Sequence, residues 1–317
     1  MIRVVLTSPI LMSSSIDLHS HSTISDGLLT PSELVGRAAA QGVKVLALTD
    51  HDDVAGLEEA RAAAQTAGIS LVNGVEISVT WNNRSVHLVG LRIDPAYAPL
   101  RDGLAAIRAG RGERAKLIAA ELGKAGIAGS LEGAYAYAAN PSIISRTHFA
   151  RFLVEKGVVK DTRAVFKKYL VKGKPGFVAH RWADFAEAIG WIRGSGGIAV
   201  LAHPGRYDLG RTNLGGLIAD FKEAGGEAIE VVTGSHTADQ FIQFAQYASE
   251  FGLLASCGSD FHGQGESYMD LGRLPELPSG CNPVWHDWPE MASPEFKALS
   301  PESKAGLTQH SALSTQH

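Results

Sequence analysis

A histidine pair near the start of the chain has the spacing of a metal site. Residues 17–27 read DLHSHSTISDG, which places His19 and His21 two positions apart and Asp26 shortly after them. On a β-strand, positions i and i+2 point to the same face, so both imidazoles could reach one ion. The pair alone is weak support, because two such histidines also suit ordinary polar positions.

The same residue types recur where other predicted strands end. Glu76 lies next to the end of the β-rich run ISLVNGVEI, and His203 ends the run GIAVLAH. His87 lies inside VHLVGLRI, where a histidine taken alone is more often part of a core. The full set of candidate donors is His19, His21, Asp26, His51, Glu76, His87, His203, Asp260 and His262.

These donors are more numerous than one ion requires. Buried together without metal, they would be unpaired polar groups and like charges, each of which costs free energy. We therefore predict two or three divalent ions, with Glu76 as a natural bridge. Imidazole and carboxylate donors without thiolate favour Mn, Fe or Zn over Ca or Cu(I), and we expect Mn first.

The elements that must position these donors are short strands alternating with helices. Thr30 and Glu33 form a capping box around Pro31, which predicts one helix start. Strand followed by helix, repeated, predicts parallel pairing, and active sites of α/β barrels lie at the carboxyl ends of the strands. The predicted strands are 15–20, 43–49, 69–77, 86–93, 197–203, 227–233 and 253–259.

The alternation stops between about Pro95 and Ala183, where the sequence is helical with glycine-rich joints. We predict a helical domain inserted over the mouth of the barrel. The predicted division is a leader at 1–15, a barrel at 16–95 and 183–288, a helical capping insert at 96–182, and a polar tail at 289–317.

Bulk properties exclude some classes of protein. The chain has 317 residues and a formal charge of −4, which argues against a dedicated duplex-DNA-binding protein but allows a small anionic substrate. No apolar run approaches the roughly 18 residues of a membrane span. Two cysteines suit a reducing compartment, so we expect a cytoplasmic protein.

The sequence resembles the PHP phosphoesterases, a family named for polymerase and histidinol phosphatase. The matching motifs are DLHSHSTISDG, LTDHD, GVE at 74–76, His87, AHPGR at 202–206 and GSDFH at 258–262. The resemblance implies a distorted (β/α)7 TIM-like barrel with three metal ions. It assigns the first ion to His19, His21, Glu76 and Asp260, the second to Glu76, His87 and His203, and the third to Asp26, His51 and His262.

Within the family, the helical insert resembles a bacterial branch of small phosphoesterases. Members of that branch remove the 3'-phosphate from nucleoside 3',5'-bisphosphates such as pAp, giving AMP, and some trim short RNAs from the 5' end. The resemblance thus implies a nucleotide substrate, with short single-stranded RNA as a further one. The branch often shows a GRPH element, whereas this chain has Ser145-Arg146-Thr147-His148.

Residues outside the donor set are candidates for substrate contacts. His236 follows the sixth strand and could donate a proton to the leaving 3'-oxygen or bind phosphate, although it could equally begin a helix and face water. With Asp26 and His203 it forms our set of catalytic candidates. Other cationic groups could bind phosphate, namely Arg146, His148, Lys172, Lys174, Arg181 and Arg206. Those in the charge run near Phe177 and His180, which are Lys172, Lys174 and Arg181, could also form a solvated face.

Three alternatives stay open at this point. TIM-barrel amidohydrolases also use HxH on the first strand, but they usually need a strand-borne Lys or Glu between two ions. A histidinol-phosphate phosphatase of the same superfamily would not require the long helical insert. An inactive barrel stabilised by its ions should have lost some of the nine donors that this chain retains.

Overall fold

A computed structural model of the chain describes residues 15–292. The predicted leader, apart from Ser15, and the tail from residue 293 lie outside the described residues. The strands are β1 (Ile16–Asp17), β2 (Val45–Leu48), β3 (Ser70–Trp81), β4 (Arg84–Leu91), β5 (Ala183–Asp184), β6 (Ile198–Leu201), β7 (Ala228–Thr233) and β8 (Leu254–Gly258). The α-helices are α1 (Pro31–Ala40), α2 (Leu57–Ala67), α3 (Ala98–Lys124), α4 (Ser130–Tyr135), α5 (Arg146–Glu155), α6 (Thr162–Val165), α7 (Phe185–Gly194), α8 (Arg211–Glu223) and α9 (Ala238–Glu250).

Seven of the strands form a nearly closed, barrel-like sheet in the order β1-β2-β3-β4-β6-β7-β8. The sheet comes back on itself where the Leu18 amide donates to the Cys257 carbonyl at 3.0 Å. The short strand β5 pairs with the end of β3 outside this order. The predicted α/β barrel of seven strands is thereby confirmed.

The prediction that all strands pair in parallel is wrong for β4. It is antiparallel to both β3 and β6, whereas the other pairs in the order are parallel. Asn82 and Asn83 join β3 to β4 in a two-residue turn, with φ angles of 45° and 59°. Tight hairpins need positive φ at both turn residues, and asparagine tolerates it better than most residues.

The helices pack on the sheet through apolar stripes. At the start of α1 the predicted capping box is confirmed, because Thr30 accepts from the Glu33 amide while Glu33 accepts from the Thr30 amide. Helix α1 buries Leu34 and Val35, which join a core that extends along the barrel strands. This core holds the strand ends, and hence the donor residues, in fixed positions.

The segment between β4 and β5 is helical and has a core of its own. Buried residues between Ala115 and Leu170 form this second cluster. Helix α3 contributes residues to both cores. Leu100 and Leu104 pack in the barrel core, whereas Ile118 packs in the core of the helical segment. The domain division at residues 96 and 182 stays a prediction.

The described residues contain no helix that combines the length and the apolar character needed to cross a membrane.

Candidate active site

The predicted donors lie at one rim of the sheet, where the parallel strands end. A bridge between His51 and Glu76 joins the loop after β2 to β3 at this rim. A second bridge, between Ser20 and Phe261, brings the residues after β1 beside those after β8. Because β4 is antiparallel, its first half reaches the same rim and carries His87 there. Segments far apart in sequence thus surround one point.

Glu76 lies at the centre of the cluster and is fully buried. Its Oε1 lies 2.8 Å from His87 Nδ1 and 2.9 Å from His203 Nε2. Its Oε2 lies 2.8 Å from His51 Nδ1 and 3.3 Å from His21 Nε2. A carboxylate with imidazoles around both oxygens is placed to bridge two ions, as the sequence suggested.

His19 and His21 converge on a common point. Their Nε2 atoms are 3.1 Å apart, and they lie 3.6 Å and 3.4 Å from Asp260 Oδ1. Two ring nitrogens this close repel each other through their lone pairs unless a proton or cation lies between them. His19 Nδ1 lies 2.7 Å from Glu230 Oε1, an arrangement that directs the other ring nitrogen toward a metal.

A further group forms around Asp26. Its Oδ1 lies 3.3 Å from His262 Nε2 and 3.8 Å from His51 Nε2. The rings of His21 and His262 stack with centroids 4.2 Å apart, which connects this group to the first pair.

Three overlapping sets of donor atoms are compact enough to hold a metal, each with its atoms within 4.8 Å of one another. Within the described part of the chain, the buried atoms Asp26 Oδ1 and Asp260 Oδ1 make no hydrogen bond. Buried carboxylate oxygens left in this state cost free energy, and a cation removes the cost. The residues therefore fit divalent ions. The sets are His21, Asp26, His51 and His262; His19, His21 and Glu76; and His51, Glu76 and His87.

Electrostatics keep the carboxylates of this cluster ionised and some of its imidazoles neutral. Burial alone would raise the pKa values of Asp26, Glu76 and Asp260, but the surrounding histidines outweigh it and hold all three well below their usual range. Burial lowers the pKa of His21 to about 3 and that of His87 to about 4. These two imidazoles are neutral at pH 7, and neutral imidazole is the form that ligates metal.

The other imidazoles of the cluster shift the opposite way. At His19, His51 and His262 the carboxylate neighbours outweigh burial and raise the pKa, that of His262 to about 9. A cation there would therefore replace protons.

The backbone is strained at two donors. His203 has a φ of 29° and Asp260 a φ of 53°, both in the region that side-chain-bearing residues rarely adopt. The His203 amide donates to Glu230 Oε2 at 2.6 Å, which holds the first of these conformations. Such strain is typical of residues whose positions are set by function.

A cavity of about 550 Å³ opens above the cluster. Asp26, His51, His87 and His203 contribute to its lining. The cationic residues around it include Arg111, Arg114, Arg146, Lys172 and Arg206. An anionic substrate would thus meet the donor cluster and several positive charges together.

Arg206 lies where the sequence placed a phosphate contact. Its guanidinium donates to Asp260 Oδ2 at 2.7 Å, and 48% of its side chain is exposed. Its other N–H groups make no hydrogen bond within the described part of the chain, so they can meet phosphoryl oxygens beside the donor cluster.

Three cavity arginines were missed by the sequence analysis, namely Arg84, Arg111 and Arg114. Arg111 is paired with Asp52, but burial and the charge of Arg146 lower the pKa of Arg114 to about 9. Burial and Arg206 lower the pKa of Arg146 to about 10. For Arg111 and Arg114 the signal was present, because Arg108, Arg111 and Arg114 recur every three residues along α3 and so share one face.

His236 does not reach the cavity. The ring is 5% exposed and stacks on Phe244 at 4.6 Å. Its Nε2 accepts from the Gly205 amide at 2.9 Å, and its Nδ1 lies 3.1 Å from the Val231 carbonyl. The predicted role as proton donor is corrected accordingly: both ring nitrogens are used by backbone groups, and the residue positions the loop before Arg206.

Three predicted substrate contacts also lie elsewhere. His148 is buried and closes a capping box with Ser145, whose amide donates to His148 Nδ1 at 3.0 Å. Lys174 and Arg181 are exposed and do not line the cavity, whereas Lys172 does. Trp182 lines the cavity, with the Arg114 guanidinium 5.1 Å from its ring centroid.

This rim of imidazoles and carboxylates beneath a cationic cavity defines a metal-dependent hydrolase of anionic substrates. The PHP domain family matches residues 17–136. A 3',5'-nucleoside bisphosphate phosphatase from Chromobacterium violaceum is 56% identical over 86% of this chain and 96% of that protein. The 5'-3' exoribonuclease Rnm of Salmonella typhimurium is 47% identical over 86% of this chain and 93% of that protein. The chain belongs to the PHP family.

Solved structures agree with this fold. An amidohydrolase from Chromobacterium violaceum, solved with bound sulfate and no metal, superposes with a TM-score of 0.84. It is 56% identical and covers 86% of this chain and 95% of its own. A protein from Bifidobacterium adolescentis, 28% identical, superposes with a TM-score of 0.71 over 85% of this chain and 92% of its own.

Proposed function

We propose that the chain is a metal-dependent phosphatase that removes the 3'-phosphate from nucleoside 3',5'-bisphosphates, converting pAp to AMP and phosphate. The observation that carries the proposal is the shared cavity, in which Asp26 and His203 of the donor cluster lie with Arg114 and Arg146. A bisphosphate needs a reaction centre for one phosphate and a separate cationic contact for the other. The relative named as a bisphosphate phosphatase supports the same substrate.

The proposed ligands are the nine donors of the rim, sharing two or three ions. His19, His21, Glu76 and Asp260 would hold the first, Glu76, His87 and His203 the second, and Asp26, His51 and His262 the third. Manganese suits this mixture of imidazole and carboxylate, with iron or zinc as alternatives. Bound divalent ions lower the pKa of water toward neutrality and neutralise charge on a phosphoryl group.

The protein side chains then have distinct tasks. Arg206 would contact the reacting phosphoryl oxygens, because its guanidinium is fixed on Asp260 and half exposed toward the cavity. Asp26 and His203, our catalytic candidates, would act as ligands that orient the site. His236 takes no part in proton transfer in this proposal.

The other phosphate would lie against Arg114 and Arg146, with Lys172 nearby in the lining. Both arginines have pKa values depressed by burial, so an anion would relieve the cost of their desolvation. Phe177 and Trp182 line the same cavity and offer apolar surface for the nucleoside.

Trimming of short 5'-phosphorylated RNA is a second candidate activity. It is favoured by the relatives named as 5'-3' exoribonucleases, at 45% and 47% identity. The same site would act on a terminal nucleotide held at its phosphate. We propose no duplex DNA or membrane partner. The chain has only two cysteines, Cys257 and Cys281, and this sparse use of cysteine suits the cytoplasmic location that we propose.

The test is release of phosphate from pAp by purified protein loaded with Mn²⁺. We expect turnover of pAp that exceeds turnover of histidinol phosphate by at least roughly a hundredfold, and loss of activity after chelation. A 5'-phosphorylated short RNA in parallel measures the second activity. Equal or better turnover of histidinol phosphate, or unchanged activity after chelation, would overturn the proposal.

A further inference from the structure

Asp26 is the donor that the helical insert touches. Ser145, the N-cap residue of α5, donates from Oγ to Asp26 Oδ2 at 2.9 Å. This bond occupies Oδ2 and leaves Oδ1 pointing toward His262 Nε2 at 3.3 Å and His51 Nε2 at 3.8 Å. Asp26 Oδ1 itself makes no hydrogen bond among residues 15–292.

The same helix also holds the backbone of Asp26. Arg151, one turn and a half further along α5, donates to the Asp26 carbonyl at 2.6 Å. Its guanidinium is fixed from the other side by Glu266, with contacts of 2.9 Å and 2.8 Å. Both Ser145 and Arg151 are buried, so solvent does not weaken their contacts with Asp26 as it weakens an exposed ion pair.

We infer that Ser145 is a positioning residue through which the helical insert controls how tightly the group of Asp26, His51 and His262 holds its ion. Residues that hydrogen-bond a metal ligand fix its rotamer, and their loss typically weakens metal binding by about 10–100-fold. Ser145 stands at the first position of the segment in which this chain departs from the GRPH element.

The inference rests on the proposed function only in that the donor groups bind divalent ions. Beyond that, the inference concerns the group of Asp26, His51 and His262 alone. Within residues 15–292, the Ser145 hydroxyl contacts Asp26 and the Thr147 amide and none of the donors around His19 or His87, so the ions at those groups should keep their affinity when the hydroxyl is removed.

The experiment is a titration of chelator-treated full-length protein with Mn²⁺, with free ion followed by electron paramagnetic resonance. Ser145→Gly removes the hydroxyl, yet glycine at an N-cap costs a helix only a few tenths of a kcal/mol relative to serine. Ser145→Thr retains a hydroxyl. Thr237→Gly is the matched control, because Thr237 caps α9 with the same box geometry and its side chain contacts Gln240 instead of a donor.

We expect Ser145→Gly to bind one equivalent of Mn²⁺ at least about tenfold less tightly than wild type, with the other equivalents unchanged. Ser145→Thr and Thr237→Gly should match wild type. Equal affinity of Ser145→Gly and wild type at every equivalent would overturn the inference, and so would an equal loss in Thr237→Gly. A wild-type protein that binds no divalent ion would instead overturn the proposed function, which separates the two failures.

Discussion

Glu230 contacts His19 through one oxygen and the backbone of His203 through the other. Its Oε1 lies 2.7 Å from His19 Nδ1, and its Oε2 accepts from the His203 amide at 2.6 Å. The side chain is almost fully buried on β7. One carboxylate thus orients His19, a proposed ligand of the first ion. It also fixes the strained backbone at His203, a proposed ligand of the second ion.

Glu230→Gln is therefore expected to weaken metal binding at two groups. The amide of glutamine has one accepting oxygen where the carboxylate has two, so one of the two contacts is lost. The expected decrease in Mn²⁺ affinity is about 10–100-fold. Calorimetric titration of the chelated protein measures it. Glu223→Gln, on the exposed side of α8, is the control and should leave binding unchanged. Wild-type affinity in Glu230→Gln would show that this carboxylate does not position the ligands.

Arg114→Met and Arg146→Met test the contact with the second phosphate. Each removes one cationic contact from the cavity, so KM for pAp should rise by roughly 10–100-fold, as expected for a hydrogen bond to a charged group. KM for a 3'-monophosphate ester, which has no second phosphate, should change little. Steady-state kinetics on both substrates give the comparison.

Arg181→Met is the matched control for this pair, because Arg181 is exposed and lies outside the cavity lining. Its KM values should equal those of wild type. A KM that rises equally for both substrates in Arg114→Met would assign this residue to the reacting phosphate instead.

The pH dependence of stability has a contribution from His236. Burial lowers the pKa of His236 to about 4, whereas an unfolded histidine titrates near 6.5. Between these values the unfolded state binds more protons, so the free energy of unfolding falls as pH falls from about 6.5 to 4. Each titrating group contributes up to about 1.4 kcal/mol per pH unit in this window.

His236→Gln removes that contribution. In urea unfolding of the chelated protein at pH 7.5, 6 and 5, the variant should lose less stability with acidification than wild type does. The absolute stability at pH 7.5 is expected to fall, because the contact with the Gly205 amide changes. Parallel pH profiles for the two proteins would refute the assigned burial of a neutral ring.

Gly258 tests how closely β8 packs against the first donor. A Cβ at this position would lie 2.2 Å from His19 Cβ and 2.7 Å from its backbone nitrogen. Gly258→Ala should displace His19, with a loss of roughly 1–3 kcal/mol in stability and weaker metal binding. Gly215→Ala is the control, since its Cβ meets nothing within 4 Å and alanine favours the helix α8 by up to about 1 kcal/mol. Unchanged metal binding in Gly258→Ala would argue against this packing.

Much of the donor cluster could be predicted because strand ends are visible in sequence. His51 follows an apolar run, and His203 and Asp260 follow others, so the rule that parallel strands end at one rim brought them together. The same rule does not predict which strands are neighbours in the sheet or the direction in which each one runs. The Asn82-Asn83 pair is a hairpin signal, but the strand-then-helix rule predicts parallel pairing and does not use it, so the antiparallel β4 departs from the prediction.

Side-chain direction was the main feature that sequence could not supply. His236 follows β7 much as His203 follows β6, yet its ring turns into the core against Phe244. Arg114 lies in a stretch that the sequence predicts to be helical, and only the packing of α3 over the barrel shows that this face of the helix looks into the cavity. Both outcomes depend on tertiary packing, which local patterns do not encode.

The central claim is that the rim donors bind several divalent ions in one cluster. Anomalous diffraction at the manganese edge, from crystals grown with Mn²⁺, tests it most directly. The account predicts two or three peaks, with Glu76 between two of them and a further one beside Asp26 and His262. A map with no peak, or with a single peak held by His19 and His21 alone, would contradict it.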